Sequence, residues 1–327
     1  MEQRILGRTG RPVSVIGLGT WQLGADWGEV QERDALEVLE AAAEAGTTFF
    51  DTADVYGDGR SEKTIGAFRR ANPDLDLVIG TKMGRRVEQD PSQYTLANFR
   101  SWVDRSRANL GMETLDLIQL HCPPSDVYTT EAVYDALDTL VEEGAVRNYG
   151  VSVERADEAL AAIDRGNTAT VQIILNAFRL KPLDAVLPAA RAAGVGIIAR
   201  VPLASGLLSG KYSTSTVFPA DDHRNYNRSG AAFDVGETFS GVDYETGLAA
   251  AQEFAQLLPA GVEPAQGALA WIIAQEGVST VIPGARNAAQ ARANAAAADR
   301  LDLGRAIHDG VTALYDRRFR PTVHARW

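Results

Sequence analysis

Residues 115–151 read LDLIQLHCPPSDVYTTEAVYDALDTLVEEGAVRNYGV, and this stretch decides the fold. An apolar run at 115–121 has the length of a buried strand. An amphipathic segment at 133–142 has helical spacing, and a second short apolar run follows at 148–151. Two strands separated by a helix of this length are expected to pair in parallel, because a parallel partner is reached only by such a crossover. Working outward in both directions, the unit repeats. Strands are expected at 15–18, 48–51, 77–81, 115–121, 148–151, 170–175, 196–200 and 280–282, with helices at 33–44, 98–110, 133–142, 157–164 and 184–193. Eight βα units in 327 residues predict one (β/α)8 barrel domain covering residues 1–327. Ahead of the first strand, 4–6 and 12–14 flank Thr9-Gly10 as a small hairpin that could plug the barrel's N-terminal end. The Ala-rich stretch 288–298 reads as helix.

Composition narrows the function. The 45% hydrophobic content fills a sizeable core, and no run of about 20 uncharged apolar residues could cross a bilayer. A formal net charge of -11 opposes sequence-independent nucleic-acid binding, so an anionic ligand needs a local basic pocket. MEQRILGRTGRPVS lacks the apolar core of a secretory leader, and the lone Cys122 has no disulfide or metal-site partner. A cytoplasmic protein without a metal centre is expected.

Four polar residues end strands or open the turns after them: Asp51 and Tyr56 in FFDTADVYG, Lys82 in GTKMG, and His121 in LIQLHCP. Singly, each has a structural reading: a turn cap, a packing ring, a solvated amine, a satisfied imidazole. Jointly, at neighbouring strand ends on the rim where such barrels place their active sites, they point to catalysis. Carbonyl reduction needs hydride at carbon and a proton at oxygen, and a free phenol with a pKa near about 10 is a reluctant acid. A lysine ammonium at about 4 Å would favour the phenolate by up to roughly 4 kcal/mol at an effective dielectric near 20. Lys82 is the candidate, with Asp51 holding it charged and His121 donating to the developing alkoxide.

The chain resembles the aldo-keto reductase family, whose members pair an Asp, Tyr, Lys, His tetrad with NAD(P)H on a (β/α)8 barrel. The motifs are GLGTWQLG (Gly17 to Gly24), DTADVYGDGRSE (Asp51 to Glu62), GTKMG (Gly80 to Gly84), QLHCP (Gln119 to Pro123), GVS (Gly150 to Ser152), VQ (Val171 to Gln172), PLASGLLSGKY (Pro202 to Tyr212) and VIPGARNAAQARAN (Val281 to Asn294). The resemblance implies an enzyme that reduces aldehydes or ketones with NADPH, NADP+ being the oxidised product. It puts Gly19, Thr20 and Trp21 beside nicotinamide and substrate, with Asp51 at the same border, and Ser152 and Gln172 on the carboxamide. Arg200 would lie at the nicotinamide, and Val201, Pro202, Leu203, Gly206, Leu208, Gly210 and Lys211 would follow it along the pyrophosphate side, a composition suited to an anion. Ile282, Gly284 and Arg286 precede a helix whose N-terminus would take the 2'-phosphate, with Gln290 and Asn294 on the adenine. For each group there is also a plain reading, as turn, cap, barrel-interior amide or solvated arginine.

Two positions depart from the family pattern. Val153 stands where many members have asparagine, removing a hydrogen bond to the carboxamide. Arg200 stands where many stack a tyrosine on the nicotinamide; its guanidinium can stack too, or turn aside to a loop carboxylate. Substrate contacts are expected from Tyr56 and His121, with Trp21, Trp27 and Tyr128 as an aromatic wall or as packing. The loops 122–130 and 212–244 would overhang the site. The expected partner is a small carbonyl compound, with neither nucleic acid nor membrane. Potassium-channel β-subunits of the same superfamily show that such a barrel can serve as a binding module, and a cofactor-free barrel lyase or hydrolase is a further alternative.

Overall fold

A computed structural model of the protein describes residues 1–24 and 31–327. Two short strands, β1 (Gln3–Ile5) and β2 (Pro12–Ser14), pair antiparallel. The sheet that follows runs β3 (Leu18–Gly19), β4 (Phe49–Asp51), β5 (Val78–Met83), β6 (Leu117–His121), β7 (Tyr149–Ser152), β8 (Thr170–Ile174), β9 (Gly196–Arg200) and β10 (Val278–Val281), each strand parallel to the next. Bridges from Ile16 to Val281 and from Gly19 to Gly284 close it into a barrel. The expected (β/α)8 architecture is what the chain adopts. The first strand is reduced to two residues because 15–17 meet β10 through single closing bonds, Val281 N to Val15 O and Gly17 N to Val281 O. The third runs on to Met83, which carries Lys82 inside the strand.

The expected helices form as α1 (Glu32–Glu44), α3 (Leu96–Leu110), α4 (Glu131–Glu142), α5 (Ala156–Ile163) and α6 (Val186–Ala193). The sequence reading left out α2 (Arg60–Ala71), a short α7 (His223–Tyr226), α8 (Tyr244–Gln256) and α9 (Pro264–Ile273). α9 is so apolar and so buried that its polar face, the usual signal of a helix, is missing. Helix α10 (Ala288–Ala295) tightens into a 3-10 turn after Ala295. No helix among the described residues is long and apolar enough to cross a membrane.

Strand periodicity assigns the site. Phe49, Val78, Leu117 and Ile198 pack with Ile282 inside the barrel, whereas Phe50, Ile79, Ile118 and Ile197 belong to the core between strands and helices. Since alternate residues of a strand face the same side, counting in twos from the inner set reaches Asp51, Lys82, His121 and Arg200 at the opposite end. Leu6 and Val13 of the hairpin join the inner apolar cluster and close its N-terminal end, as anticipated. Gly7 allows this: a Cβ there, at φ +51, would collide with the backbone of Gly196 and Ala169. One end of the barrel is thus plugged with hydrocarbon and the other is lined by polar side chains.

Candidate active site

At the C-terminal end of the barrel, Lys82 Nζ donates to Asp51 Oδ2 (2.6 Å), to the carbonyl of Thr52 (2.8 Å) and to the Tyr56 hydroxyl (3.3 Å). Asp51 and Lys82 are almost wholly out of solvent, so the attraction between them is screened far less than at a surface. Burial would lower the lysine, but the Asp51 carboxylate and the Tyr56 hydroxyl together outweigh it and hold Lys82 above its ordinary value, hence charged. For Tyr56, burial raises the phenol more than Lys82 lowers it, and the net direction is up. The expected acidifying pull of Lys82 is present, yet desolvation wins, and the hydroxyl keeps its proton. Burial, and then the positive charges of Arg85, Lys82 and Arg200, hold His121 well below its ordinary value. A neutral imidazole faces the phenol, ring centroids 5.9 Å apart in an edge-to-face pair.

Support for this group comes from Gln172 and Thr20, both expected around a cofactor, and from Gln119, Thr52 and Ser61, to which the sequence assigns no role. Gln119, two residues before His121 and therefore also inward, lies 3.4 Å from Asp51 Oδ1; Gln172 donates to the same oxygen at 2.7 Å. Thr20, Ser61 and Thr52 form a buried hydroxyl chain, Ser61 Oγ to Thr20 Oγ1 (2.8 Å) and Thr52 Oγ1 to Ser61 Oγ (2.9 Å), that ties the segment of Trp21 to that of Tyr56. Trp21 lies nearly parallel to Tyr56, with centroids 6.1 Å apart. Inward alternation could have found Gln119. Nothing in the sequence spacing announces the hydroxyl chain.

A cleft of about 420 Å³ opens over the tetrad and is lined by Asp51, Tyr56 and His121. Lys82 lies behind them. Of the residues expected around a cofactor, Gly19, Thr20, Trp21, Ser152, Gln172 and Arg200 border the cleft at the strand ends. Val201, Pro202, Leu203, Gly206 and Lys211 continue along one side, and Ile282, Gly284, Arg286, Gln290 and Asn294 along the other. Val201, Ala204 and Ser205 take φ values of +51, +48 and +53, unusual for residues other than glycine and the kind of strain that collects at functional sites. Leu208 and Gly210 do not border the cleft: Leu208 is buried in the core, and Gly210 turns at φ +71 against Pro264. Arg286 N donates to Gln290 Oε1 (2.9 Å), and Asn294 donates to Gly284 O (3.2 Å), so both helix side chains hold the turn that presents Arg286.

Three expectations are sharpened. Tyr128 is wholly buried, away from the cleft, and its hydroxyl donates to Ser152 O (2.8 Å); it braces a strand end instead of forming a wall. Trp27 lies outside the described residues. Besides Tyr56, Trp21 meets His223, at 5.2 Å, and Phe233, at 5.8 Å, both from the long loop. Arg200 has turned aside: its guanidinium lies 2.8 Å from Glu154 Oε1, donates to Val153 O (3.0 Å) and stands 3.8 Å from Glu237. Val153 itself is buried and contributes only its backbone.

Arg85 completes a quartet, 3.1 Å from Glu237, 3.6 Å from Glu154 and donating to the carbonyl of His121 at 3.0 Å. Burial acts to raise both carboxyls. In Glu237 the guanidiniums of Arg85 and Arg200 overcome it and hold the group at about 2, whereas Glu154 is left at about 8. Among the described residues, oxygens of Glu154 and Glu237 and the sulfur of Cys122 also lie within 4.8 Å of one another, the spacing of a metal trio. Two guanidiniums already in place oppose a third cation there.

The family model of the Aldo/keto reductase family matches residues 15–314. The L-galactose dehydrogenase of Arabidopsis thaliana is 33% identical over 219 residues, covering 64% of this chain and 67% of its own. The aldo-keto reductase yakc [NADP(+)] of Schizosaccharomyces pombe is 28% identical over 283 residues, 84% of this chain and 80% of its own. Among solved structures, the glycerol dehydrogenase of Gluconobacter oxydans superposes with a TM-score of 0.77 at 28% identity, covering 97% of this chain and 95% of that one. With the barrel, its plugged N-terminal end and the polar rim already in place, the chain belongs to the aldo-keto reductase family and is an oxidoreductase of that family.

Proposed function

We propose that this protein reduces aldehydes or ketones to alcohols with NADPH, Tyr56 giving the proton and His121 polarising the carbonyl. The observation that carries the reading is the buried run Asp51, Lys82, Tyr56, in which one ammonium touches a carboxylate at 2.6 Å and a phenol at 3.3 Å beneath an open cleft. A reduced nicotinamide held by Ser152 and Gln172 would supply the hydride that the carbonyl carbon needs. As negative charge grows on the carbonyl oxygen, Tyr56 passes its proton there, and the phenolate left behind is stabilised by Lys82. This cation costs no reorganisation at that moment because Asp51 and Thr52 already hold it. A neutral His121 can donate to the same oxygen without competing as the proton source.

The rest of the cleft fits a dinucleotide phosphate. Gly206 and Gly284 border the cleft, and each lets a neighbouring side chain close in where a Cβ would stand, Tyr212 on the first and Gln22 on the second. Lys211 and Arg286 put positive charge on the lining of the cleft in a chain of net charge -11, and Arg286 lies just before the N-terminus of α10. Ser152 and Gln172 would hold the carboxamide, the 201–211 segment the pyrophosphate, Arg286 the 2'-phosphate, and Gln290 and Asn294 the adenine. The name of the fission-yeast relative agrees with NADP+ as the coenzyme. A panel of aldehydes, ketones and sugars assayed with NADPH and NADH tests the proposal. Turnover with NADPH at low concentration is expected. No turnover of any carbonyl, with tight coenzyme binding intact, would favour a binding module instead.

A further inference from the structure

Glu237 is a carboxylate built into the wall of the cleft by a segment whose sequence gives no hint of it. It ends the turn Val235–Glu237 in the long loop after β9 and borders the same cleft as Tyr56, His121 and Trp21. The backbone around it is fixed on two sides. On the cleft side, Ser205 Oγ donates to Glu237 O (3.0 Å) and accepts from Phe239 N (3.0 Å). On the outer side, Trp327 stacks on the buried guanidinium of Arg179 at 3.9 Å, and Arg326 donates to Gly241 O at 3.2 Å. Gly236 and Gly241 permit that approach: a Cβ on Gly236 would strike Arg179, and one on Gly241 would come within 2.7 Å of Trp327. Arg179 also donates to the backbone carbonyl of Glu154, so one bolt holds both carboxyl-bearing turns.

Resting on the reductase reading above, we infer that Glu237 is a specificity-determining residue that selects carbonyl compounds bearing a hydroxyl near the reducible carbon. The chemistry follows from what a substrate chain would do to a fixed carboxylate. Arg85, behind the cleft, and Arg200, on its lining, keep Glu237 ionised and leave it bordering the cleft. An alkyl chain laid against it removes water and returns no donor, which is the costly way to treat a buried polar group. A hydroxyl donates to the carboxylate, and Arg200 lines the same part of the cleft. Trp21, stacked with Tyr56, gives an apolar face beside these polar groups, a combination suited to the mixed faces of a hydroxylated carbon chain.

The test compares kcat/KM for glyceraldehyde and propanal with NADPH in the parent, in Glu237→Leu and Glu237→Gln, and in Trp327→Ala and Trp327→Phe. The parent should prefer glyceraldehyde to propanal by roughly tenfold to a hundredfold. Glu237→Leu should bring the two within about threefold of each other, and Glu237→Gln, which keeps an acceptor oxygen without its charge, should leave an intermediate preference. Trp327, acting only through the turn, should narrow the preference mainly through KM when cut to alanine, and phenylalanine, which can still stack on Arg179, should restore it. A parent that reduces propanal as well as glyceraldehyde overturns this inference while leaving the reductase reading intact, and it does so even if every variant fails to fold. A preference that survives Glu237→Leu overturns it as well. A parent that reduces no carbonyl of the wider panel removes both readings.

Discussion

The two halves of the cleft hold charge in opposite ways. Asp51 and Lys82 are both out of water, paired with each other and mounted on strands that cannot shift without opening the barrel. Around Arg286 the charge is half in solvent, with Asp222, itself bonded to Arg224, 4.0 Å away, and it stands on turns and short helices. A developing charge in the first half meets dipoles already aimed at it, whereas an anion in the second half can enter, exchange with water and leave. Damage to the first should therefore appear in kcat and in folding, and damage to the second in coenzyme affinity alone.

Lys82→Met is the strongest way to break that distinction. It should lower kcat by roughly a hundredfold or more and, by leaving Asp51 buried without its cation, destabilise the fold by about 3–5 kcal/mol in urea unfolding. Adding Asp51→Asn should lower kcat little further, because the two act as one unit. A variant with near-normal turnover would mean the buried side is not where the chemistry lies. Next in size, Arg286→Ala should weaken NADPH by roughly tenfold to a hundredfold, with little change for NADH, in a fluorescence titration. Equal losses for both coenzymes would show that Arg286 does not read the 2'-phosphate.

The smallest effect concerns Asp54, in the same turn as Tyr56. Burial, followed by Glu62, raises its carboxyl from 3.8 to about 7, and neither of its oxygens has a hydrogen-bond partner among the described residues. The folded chain therefore holds a proton that the unfolded chain has already released between pH 3.8 and about 7. This group's contribution to stability is full below that window and is lost as pH rises through it. Asp54→Asn should flatten that dependence and stabilise the protein by on the order of 1–3 kcal/mol at pH 8 relative to pH 5. Parallel stability curves for parent and variant from pH 5 to 8 would count against a protonated Asp54.

The same contrast explains what could be read before any coordinates. Asp51, Lys82 and His121 sit in strands, where period two and burial fix which way a side chain points, so motif and strand end together locate them. Gln119 was within reach of that rule. Leu208 and Gly210 were placed with their neighbours on the cleft because a motif fixes a segment's neighbourhood but not which of its side chains turn inward; a 3-10 turn with left-handed residues sends Leu208 to the core. Tyr128 was an aromatic with two readings, and only its hydrogen bond to Ser152 O decides between them. Glu237, His223 and Trp327 reach the site or its supports from loops and from the far end of the chain, through contacts that no local periodicity encodes.

The central claim is that Tyr56 is the proton donor, and Tyr56→Phe tests it most directly. The substitution removes one hydroxyl and keeps the ring that stacks on Trp21 and meets His121 edge-on. Single-turnover reduction of a good aldehyde should slow by roughly a hundredfold to ten-thousandfold, while NADPH titrates with nearly the parent dissociation constant. A variant that reduces the aldehyde at even about a third of the parent rate, far above any loss expected of a missing general acid, would contradict the account.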